Sequence, residues 1–147
     1  MRNLLTIGYQ HTTVDNVLDA LRGAGAGVLA DVRAVASSRR PGFSKTALAN
    51  AIEAAGMRYI HFRDLGTPAD GRAASRAGRY EDMRAIFMEH LATPPAHAAL
   101  AALADVVDAG HRVCLLCYEA DPAHCHRTIV AEELARLTAV QVTHLRA

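Results

Sequence analysis

The sequence predicts a three-layer α/β/α fold: one domain over residues 1–147, with a mostly parallel twisted sheet of about five strands, Rossmann-like or flavodoxin-like. Two observations favour this class. Short apolar runs alternate with segments of helical period along the chain, as in strands joined by crossover helices. The 147 residues are 51% hydrophobic, which is enough for one core.

The first half of the chain alternates between strand and helix signals. The predicted elements are strands over residues 4–9, 27–33 and 57–62 and helices over residues 12–25 and 45–56. Gly25 and Gly56 stand at the ends of the two helices. Glycine is the residue that most often ends a helix, because it adopts a left-handed backbone without strain.

The second half repeats the alternation with a longer helical region. That region covers residues 80–109 and is interrupted at Pro94 and Pro95, because proline lacks the amide that a helix interior needs. The elements after it are a strand over residues 112–118, a helix over residues 122–137 and a strand over residues 140–145. The two remaining stretches, residues 34–44 and 63–79, are predicted to be long loops rich in arginine, glycine and hydroxyl side chains. The second loop, with Arg72, Arg76 and Arg79, would be able to close over an anion.

Composition and charge exclude several functional classes. Sixteen basic and fifteen acidic side chains leave a net charge of +1, which is no global signature of nucleic-acid or membrane binding. No apolar run has the length of a signal peptide core or a membrane span. We therefore expect a cytoplasmic protein whose three cysteines stay reduced. The sequence does not predict an oligomeric state.

Polar residues follow the predicted strands at their carboxyl ends, where parallel α/β sheets bind ligands. Tyr9 follows the first strand, and Asp31 and Arg33 lie at the end of the second. His61 lies near the end of the third strand, and the fourth strand leads into Cys117 and Glu119. The sequence thus predicts one rim that carries most of the polar chemistry.

The richest stretch is LLCYEADPAHCHRTIVAEEL, residues 115–134. Asp121 followed by Pro122 predicts a helix start, which places Cys125 in or near the first turn. There the positive helix end lowers a thiol pKa, so Cys125 is the preferred reactive thiol. His126 is expected to point inward. Cys114 has the opposite strand parity to Cys117 and is expected to pack in the core.

A metal site at Cys117, Glu119, Cys125 and His126 is a weaker alternative. Zinc accepts thiolate, imidazole and carboxylate ligands, so the residue types are suitable. On a regular helix, however, Cys125 and His126 would project about 100° apart. Both would then reach one ion only if the first turn were irregular, so no metal is the main expectation.

Four motifs lie along most of the chain: TIGYQ at residues 6–10, DVRAVASSRRPGFS at 31–44, DLGTP at 64–68 and CYEADPAHCHR at 117–127. Together they resemble the pattern of an uncharacterised prokaryotic family, domain of unknown function 488. Tyr9 and Gln10 stand where many members have His and Ser. The resemblance implies a three-layer α/β domain whose motif residues converge at one rim. It implies no established reaction.

These observations favour a thiol-dependent enzyme that acts on a small anionic, phosphate- or nucleotide-like ligand. Cys125 or Cys117 would be the nucleophile, Glu119 the general acid or base and His126 its partner in proton transfer. The predicted ligand-binding residues are Arg127, Asp31, Arg33, Arg39, Arg40, Tyr9 and His61. Three alternatives stay open: a non-catalytic ligand-binding or redox-sensing module, the metal site, and nucleic-acid association through the arginine-rich loops.

Overall fold

A computed structural model describes all residues, 1–147, and contains one five-stranded parallel sheet. The strand order is β3-β2-β4-β1-β5. The strands are β1 (Arg2–Gly8), β2 (Val28–Asp31), β3 (Arg58–His61), β4 (Val113–Cys117) and β5 (Val140–His144). The predicted three-layer α/β fold is confirmed.

Six α-helices and two short 3-10 turns connect the strands. The helices are α1 (Val14–Gly23), α2 (Lys45–Ala54), α3 (Ala69–Arg76), α4 (Tyr80–Leu91), α5 (Pro94–Asp108) and α6 (His126–Ala135), and the turns are Arg63–Leu65 and Pro122–His124. Gly25 and Gly56 follow α1 and α2 with positive φ angles of 70° and 85°, as predicted. None of the helices combines the length and apolar character needed to cross a membrane.

The sheet separates two hydrophobic clusters. The smaller cluster packs α1 and α2 on one face through residues such as Val17, Leu21 and Ile52. The larger one packs α3, α4, α5 and α6 on the other face and includes the fully buried Phe87. Cys114 belongs to the first cluster and Cys117 to the second, so the predicted difference in strand parity is confirmed.

The winding of the chain creates a crevice at the carboxyl end of β4. The connections after β1 and β2 lead to helices on one face, whereas the connection after β4 leads to α6 on the other. Because β4 lies between β1 and β2, the loop after β4 leaves the sheet toward the opposite face from the loops that follow both of its neighbours. Ligand sites of open α/β sheets form at such switch points.

The structure corrects two local predictions. Residues 63–79 are not an extended loop, because they contain the turn Arg63–Leu65 and helix α3. Cys125 is not in a helical turn: it has an extended backbone, φ −125° and ψ 140°, and caps α6, which begins at His126. The predicted helix start at Asp121 and Pro122 forms only the 3-10 turn.

Candidate functional site

Three buried side chains meet at the carboxyl end of β4. The Nδ1 atom of His126 lies 3.4 Å from Cys117 Sγ and 4.0 Å from Cys125 Sγ. Each of the three residues offers one atom to a group in which all atoms lie within 4.8 Å of one another. We call Cys117, Cys125 and His126 the thiol-imidazole cluster.

The orientation of His126 follows from its second nitrogen. Nε2 lies 2.7 Å from the backbone carbonyl oxygen of Val32. A carbonyl oxygen only accepts hydrogen bonds, so Nε2 carries a proton and Nδ1 presents its lone pair to the two sulfur atoms in the neutral ring. Phe87 contacts the imidazole edge-on, with ring centroids 5.1 Å apart. The ring is therefore held with its basic nitrogen toward the thiols.

The chain between β4 and α6 brings Cys125 back over Cys117. The side chain of Asp121 accepts a hydrogen bond from the Ala123 amide at 2.9 Å, which closes the 3-10 turn. Cys125 then takes an extended conformation before α6 begins. Cys125 is thereby the N-terminal capping residue of a ten-residue helix, and its thiol makes no hydrogen bond to the amides of the first turn. This position favours a negative charge on sulfur.

Gly8 explains why the first motif matters to the site. A Cβ atom at this position would lie 1.8 Å from the Glu119 carbonyl oxygen, so only glycine lets the turn after β4 pass so close to β1. The amide of Gln10 donates to the Tyr118 carbonyl at 2.8 Å, and the Gln10 side chain accepts from the Ala120 amide at 3.1 Å. The TIGYQ segment therefore shapes the turn that carries Glu119.

Arg127 stabilises the same turn through hydrogen bonds. Its side chain is fully buried and donates to the carbonyl oxygens of Glu119 and Ala120 and to the Thr6 hydroxyl. It forms no ion pair with a carboxylate. Its positive charge contributes to lowering the pKa of the Cys125 thiol. The Cys-His-Arg motif thus combines one thiol, one imidazole and one buried cation that supports their loop.

The Asp-Val-Arg motif forms a buried ion pair beside the cluster. The Asp31 carboxylate accepts from the Arg33 side chain at 2.9 and 2.7 Å, and Arg33 also donates to the Phe43 carbonyl and the Tyr9 hydroxyl, at 2.7 and 3.2 Å. Burial alone would lower the pKa of Arg33, but Asp31 raises it above its usual value. Tyr9 stacks on the Phe43 ring, with centroids 4.2 Å apart. This network fixes the wall formed by Tyr9.

The cluster lines a pocket of about 250 Å³. The walls come from three sources: the ends of β1, β2 and β4 with their following loops, helix α3 with the segment before it, and the start of α4. The lining residues are Tyr9, Arg33, Ala34, Val35, Thr67, Arg72, Ser75, Arg76, Met83, Cys117, Tyr118, Glu119, His124, Cys125 and His126. Arg72 and Arg76 of α3 thus line the same pocket as the thiol-imidazole cluster.

Burial and neighbouring charges shift the acidities in the pocket. Burial alone would raise the pKa of Cys125, but a hydrogen bond from Cys117, the imidazolium that forms when His126 Nδ1 takes the thiol proton, and the charge of Arg127 bring it well below its usual value. The hydrogen bond to Cys125, together with burial, raises the pKa of Cys117. Burial, reinforced by the charge of Cys125, also raises the pKa of Glu119. The pocket therefore favours a Cys125 thiolate beside a protonated Cys117.

The chain matches a known protein family. The family described as "Domain of unknown function DUF488" matches residues 13–134. The chain belongs to this family. A search of curated proteins and a search of solved structures each returned no match. The matched range includes the Asp-Val-Arg, Cys-x-Glu and Cys-His-Arg segments, whereas TIGYQ precedes it.

The structure brings one part of the predicted site together. Cys117, Cys125, His126 and Glu119 line the pocket, and Tyr9 and Arg33 stand beside them. These six residues come from β1, β2, β4 and α6 and their loops, which the sequence analysis assigned to one rim. These segments of the chain therefore meet around the thiol-imidazole cluster.

Other predicted ligand-binding residues do not line the pocket. Arg127 and Asp31 are fully buried and have the internal partners described above. The side chain of His61 lies 2.7 Å from the Arg33 carbonyl oxygen, and Arg40 donates to the Thr12 carbonyl. Arg39 is exposed on the 34–44 loop. Four of these five residues, all except Arg39, make side-chain hydrogen bonds within the protein and so support the surrounding loops.

Residues outside the predicted site complete the pocket. Arg72, Ser75 and Arg76 lie on α3, and Thr67 precedes that helix. The arginines were noted in a predicted loop, but their position in the pocket lining depends on the helix. Gly66 contributes to this placement, since a Cβ atom there would lie 2.1 Å from the Ala34 amide nitrogen. Gly66, the glycine of DLGTP, was the one feature of the sequence that indicated a close approach of two backbone segments here.

Proposed function

We propose that this protein is a thiol-dependent enzyme that acts on a small anionic, phosphate- or nucleotide-like ligand. One observation carries the proposal: an imidazole nitrogen lies near two thiols in the lining of a pocket that also contains two arginines. Packing alone does not require this combination of groups. A thiol paired with a base and open to a cavity is the arrangement of a cysteine nucleophile.

Cys125 is the proposed nucleophile. His126 takes the thiol proton at Nδ1, and the Val32 carbonyl accepts the hydrogen bond from Nε2 in both states of the ring. The Cys125 sulfur then bonds to the electrophilic atom of the substrate while the bond to the leaving group breaks. His126 returns the proton to the leaving group, and water or an acceptor releases the covalent intermediate in a second displacement.

Glu119 is the proposed second acid-base group. Its carboxyl lines the pocket, and its raised pKa keeps a larger fraction protonated than for a free glutamic acid. A protonated carboxyl is able to donate to a leaving group that His126 does not reach. Cys117 donates a hydrogen bond to the Cys125 thiolate and has a supporting role.

Arg72 and Arg76 are the proposed anion-binding residues. Arg72 uses one nitrogen to donate to the Thr67 carbonyl at 2.9 Å, which leaves its other donors for a ligand. Arg76 is exposed at the pocket mouth. The amides at the start of α6 add to the attraction for phosphate or carboxylate. A volume of about 250 Å³ lies just below the usual range for drug-sized ligands, which favours a small substrate.

The proposal places the protein in the cytoplasm. All three cysteines are free, and the reaction needs Cys125 as a thiolate. A reducing compartment keeps such a thiol from oxidation.

The test uses activated esters as probes because the natural substrate is unidentified. Metal-free protein is incubated with para-nitrophenyl phosphate and para-nitrophenyl acetate, while nitrophenol release and the intact protein mass are measured. We expect turnover and a covalent adduct at Cys125, both reduced about 100-fold or more by Cys125→Ser or His126→Ala. Arg72→Met should weaken competition by inorganic phosphate.

Cys114→Ala is the matched control, because Cys114 is buried on the other face of the sheet and should leave the rates unchanged. Phosphate binding that survives Cys125→Ser, with neither turnover nor adduct in the unmodified protein, would instead indicate a non-catalytic binding module.

A further inference from the structure

The thiol-imidazole cluster matches the donor set of a transition-metal site. Two thiolates and one imidazole are ligands that zinc prefers. In a tetrahedral zinc site, bond lengths of about 2.3 Å to sulfur and 2.0–2.1 Å to nitrogen separate sulfur from nitrogen by about 3.6 Å and the two sulfurs by about 3.8 Å. The sulfur-nitrogen distances here are 3.4 and 4.0 Å, and all three donor atoms lie within 4.8 Å of one another.

We infer that Cys117, Cys125 and His126 bind one zinc ion, and that this ion reversibly switches off the thiol chemistry of the pocket. The inference of a zinc site rests on the ligand geometry alone. The inference that zinc switches off the thiol chemistry also rests on the proposed function. A sulfur that donates its lone pair to zinc is not available to attack a substrate. The two forms therefore exclude each other.

The irregular start of α6 is what makes this site feasible. On a regular helix, Cys125 and His126 would diverge by about 100°. Cys125 instead has an extended backbone and His126 begins the helix, so both side chains turn toward Cys117. A shared ion was expected only if the first turn were irregular, and the structure has that irregularity.

The surroundings of His126 also suit a metal ligand. Its Nε2 proton is held by the Val32 carbonyl oxygen at 2.7 Å, which fixes the ring and leaves Nδ1 for the ion. Histidine ligands of zinc usually make such a hydrogen bond through their other nitrogen. Phe87 also contacts the edge of the ring, with centroids 5.1 Å apart. Because the imidazole is already fixed, metal binding would cost little further side-chain entropy.

The cluster provides three ligands and leaves one direction toward the pocket. Glu119 does not belong to the close group of donor atoms, although it lines the same cavity. A fourth ligand would therefore be water or a small anion from the pocket. Two thiolates also neutralise the charge of Zn²⁺, so a buried metal complex would carry no net charge apart from this fourth ligand.

Cobalt is the direct probe of this site. Metal-free protein is titrated with Co²⁺ under reducing conditions, and the visible and near-ultraviolet spectra are recorded. We expect one ion per chain, the strong visible absorption of tetrahedral cobalt and a thiolate-to-cobalt charge-transfer band, all removed by one equivalent of Zn²⁺. A weak octahedral spectrum without charge transfer, or the same spectrum in Cys117→Ser/Cys125→Ser protein, would overturn the inference.

Matched variants identify the ligands. His126→Ala should weaken zinc binding about 100-fold or more, since even loss of an outer hydrogen bond to a ligand costs 10-fold to about 100-fold. Cys114→Ala should bind zinc as the unmodified protein does, because Cys114 lies on the opposite face of the sheet. Circular dichroism confirms folding of each variant, and the cobalt spectrum of the unmodified protein tests the site if a variant does not fold.

Alkylation separates the metal inference from the proposed function. Zinc should slow iodoacetamide labelling of Cys125 about 10-fold or more, and a chelator should restore the rate. Rapid labelling that zinc does not change would refute the metal site and leave the thiol enzyme standing. Stoichiometric zinc with an inert Cys125 in the metal-free protein would leave the zinc site standing, but would refute both the thiol enzyme and the regulatory effect.

Discussion

Replacing Arg127 with methionine tests whether the buried arginine supports the site or binds ligand. Arg127 is fully buried, and its guanidinium is the hydrogen-bond donor to the carbonyls of Glu119 and Ala120. The third acceptor, the Thr6 hydroxyl, keeps His144 as a partner at 2.6 Å. The variant therefore leaves two carbonyl oxygens without this donor, while methionine retains most of the apolar packing of the stem.

Each charged hydrogen bond is worth about 1.5–3 kcal/mol. Relief from burying the guanidinium offsets part of the loss, so we expect Arg127→Met to lower the free energy of unfolding by about 2–4 kcal/mol. This corresponds to a fall in Tm of about 5–15 °C for a chain of this size. Removal of the positive charge should also raise the pKa of Cys125, because Arg127 is one of the groups that lower it.

The assay combines urea unfolding, followed by circular dichroism, with alkylation of Cys125 in metal-free protein. Arg72→Met is the matched control, because this arginine is half-buried and makes one hydrogen bond, to Thr67. It should change the free energy of unfolding by about 1 kcal/mol or less. Equal losses in Arg127→Met and Arg72→Met, or unchanged Cys125 labelling in Arg127→Met, would refute the reasoning.

Three further predictions concern the rim and its acid-base group. Gly8→Ala should lower the free energy of unfolding in urea by about 3 kcal/mol, because the added Cβ atom would lie 1.8 Å from a carbonyl oxygen. Gly23→Ala is the control: its Cβ atom would have nothing within 4 Å, so this variant should be neutral or stabilising. Asp31→Asn should cost about 3–5 kcal/mol in the same assay because it leaves Arg33 buried without its counter-charge; a loss below about 1 kcal/mol would contradict this. Because the pKa of Glu119 is raised, ester turnover that needs its proton should fall as pH rises through that pKa. Glu119→Gln should remove this pH dependence. A pH dependence that persists in the variant would exclude Glu119 as the acid.

The fold was predictable because each strand and most helices carry a local signal. The apolar run of β4 and the periodic spacing of α1 depend on residues close in sequence. Helix α3 was missed because its sequence, ADGRAASR, buries only Gly71 and Ala74 and has no apolar stripe. Its packing against α4, where Gly71 lies beside Ile86, stabilises it instead.

The direction of individual polar side chains was the main limit for the site. The sequence placed Asp31, Arg33 and Arg127 at the rim, but it contains no local information on whether an arginine faces the pocket or the backbone behind it. Arg127 turns inward because the turn after β4 offers carbonyl oxygens that no other group satisfies. Such partners are distant in sequence or lie in an irregular turn, so spacing rules do not predict them.

The helix start at Cys125 shows the same limit at short range. Asp121 and Pro122 correctly indicated a helical turn, but the chain leaves that turn after His124 and begins α6 one residue later. The contact of His126 with Val32, 94 residues earlier, accompanies this break. Cys125 and His126 face one point only because of this break, so the sequence did not predict the common direction of these two side chains.

The most direct test of the thiol proposal is the pH dependence of iodoacetamide labelling at each cysteine of the metal-free, reduced protein, with adducts located by peptide mass spectrometry. Cys125 should react fastest, with a midpoint well below the free-cysteine pKa of about 8.5, because its pKa is lowered. Cys114 should stay unreactive, since burial raises the pKa of its thiol and hides it from solvent. A Cys125 that reacts no faster than Cys114, or only above pH of about 8.5, would contradict the account.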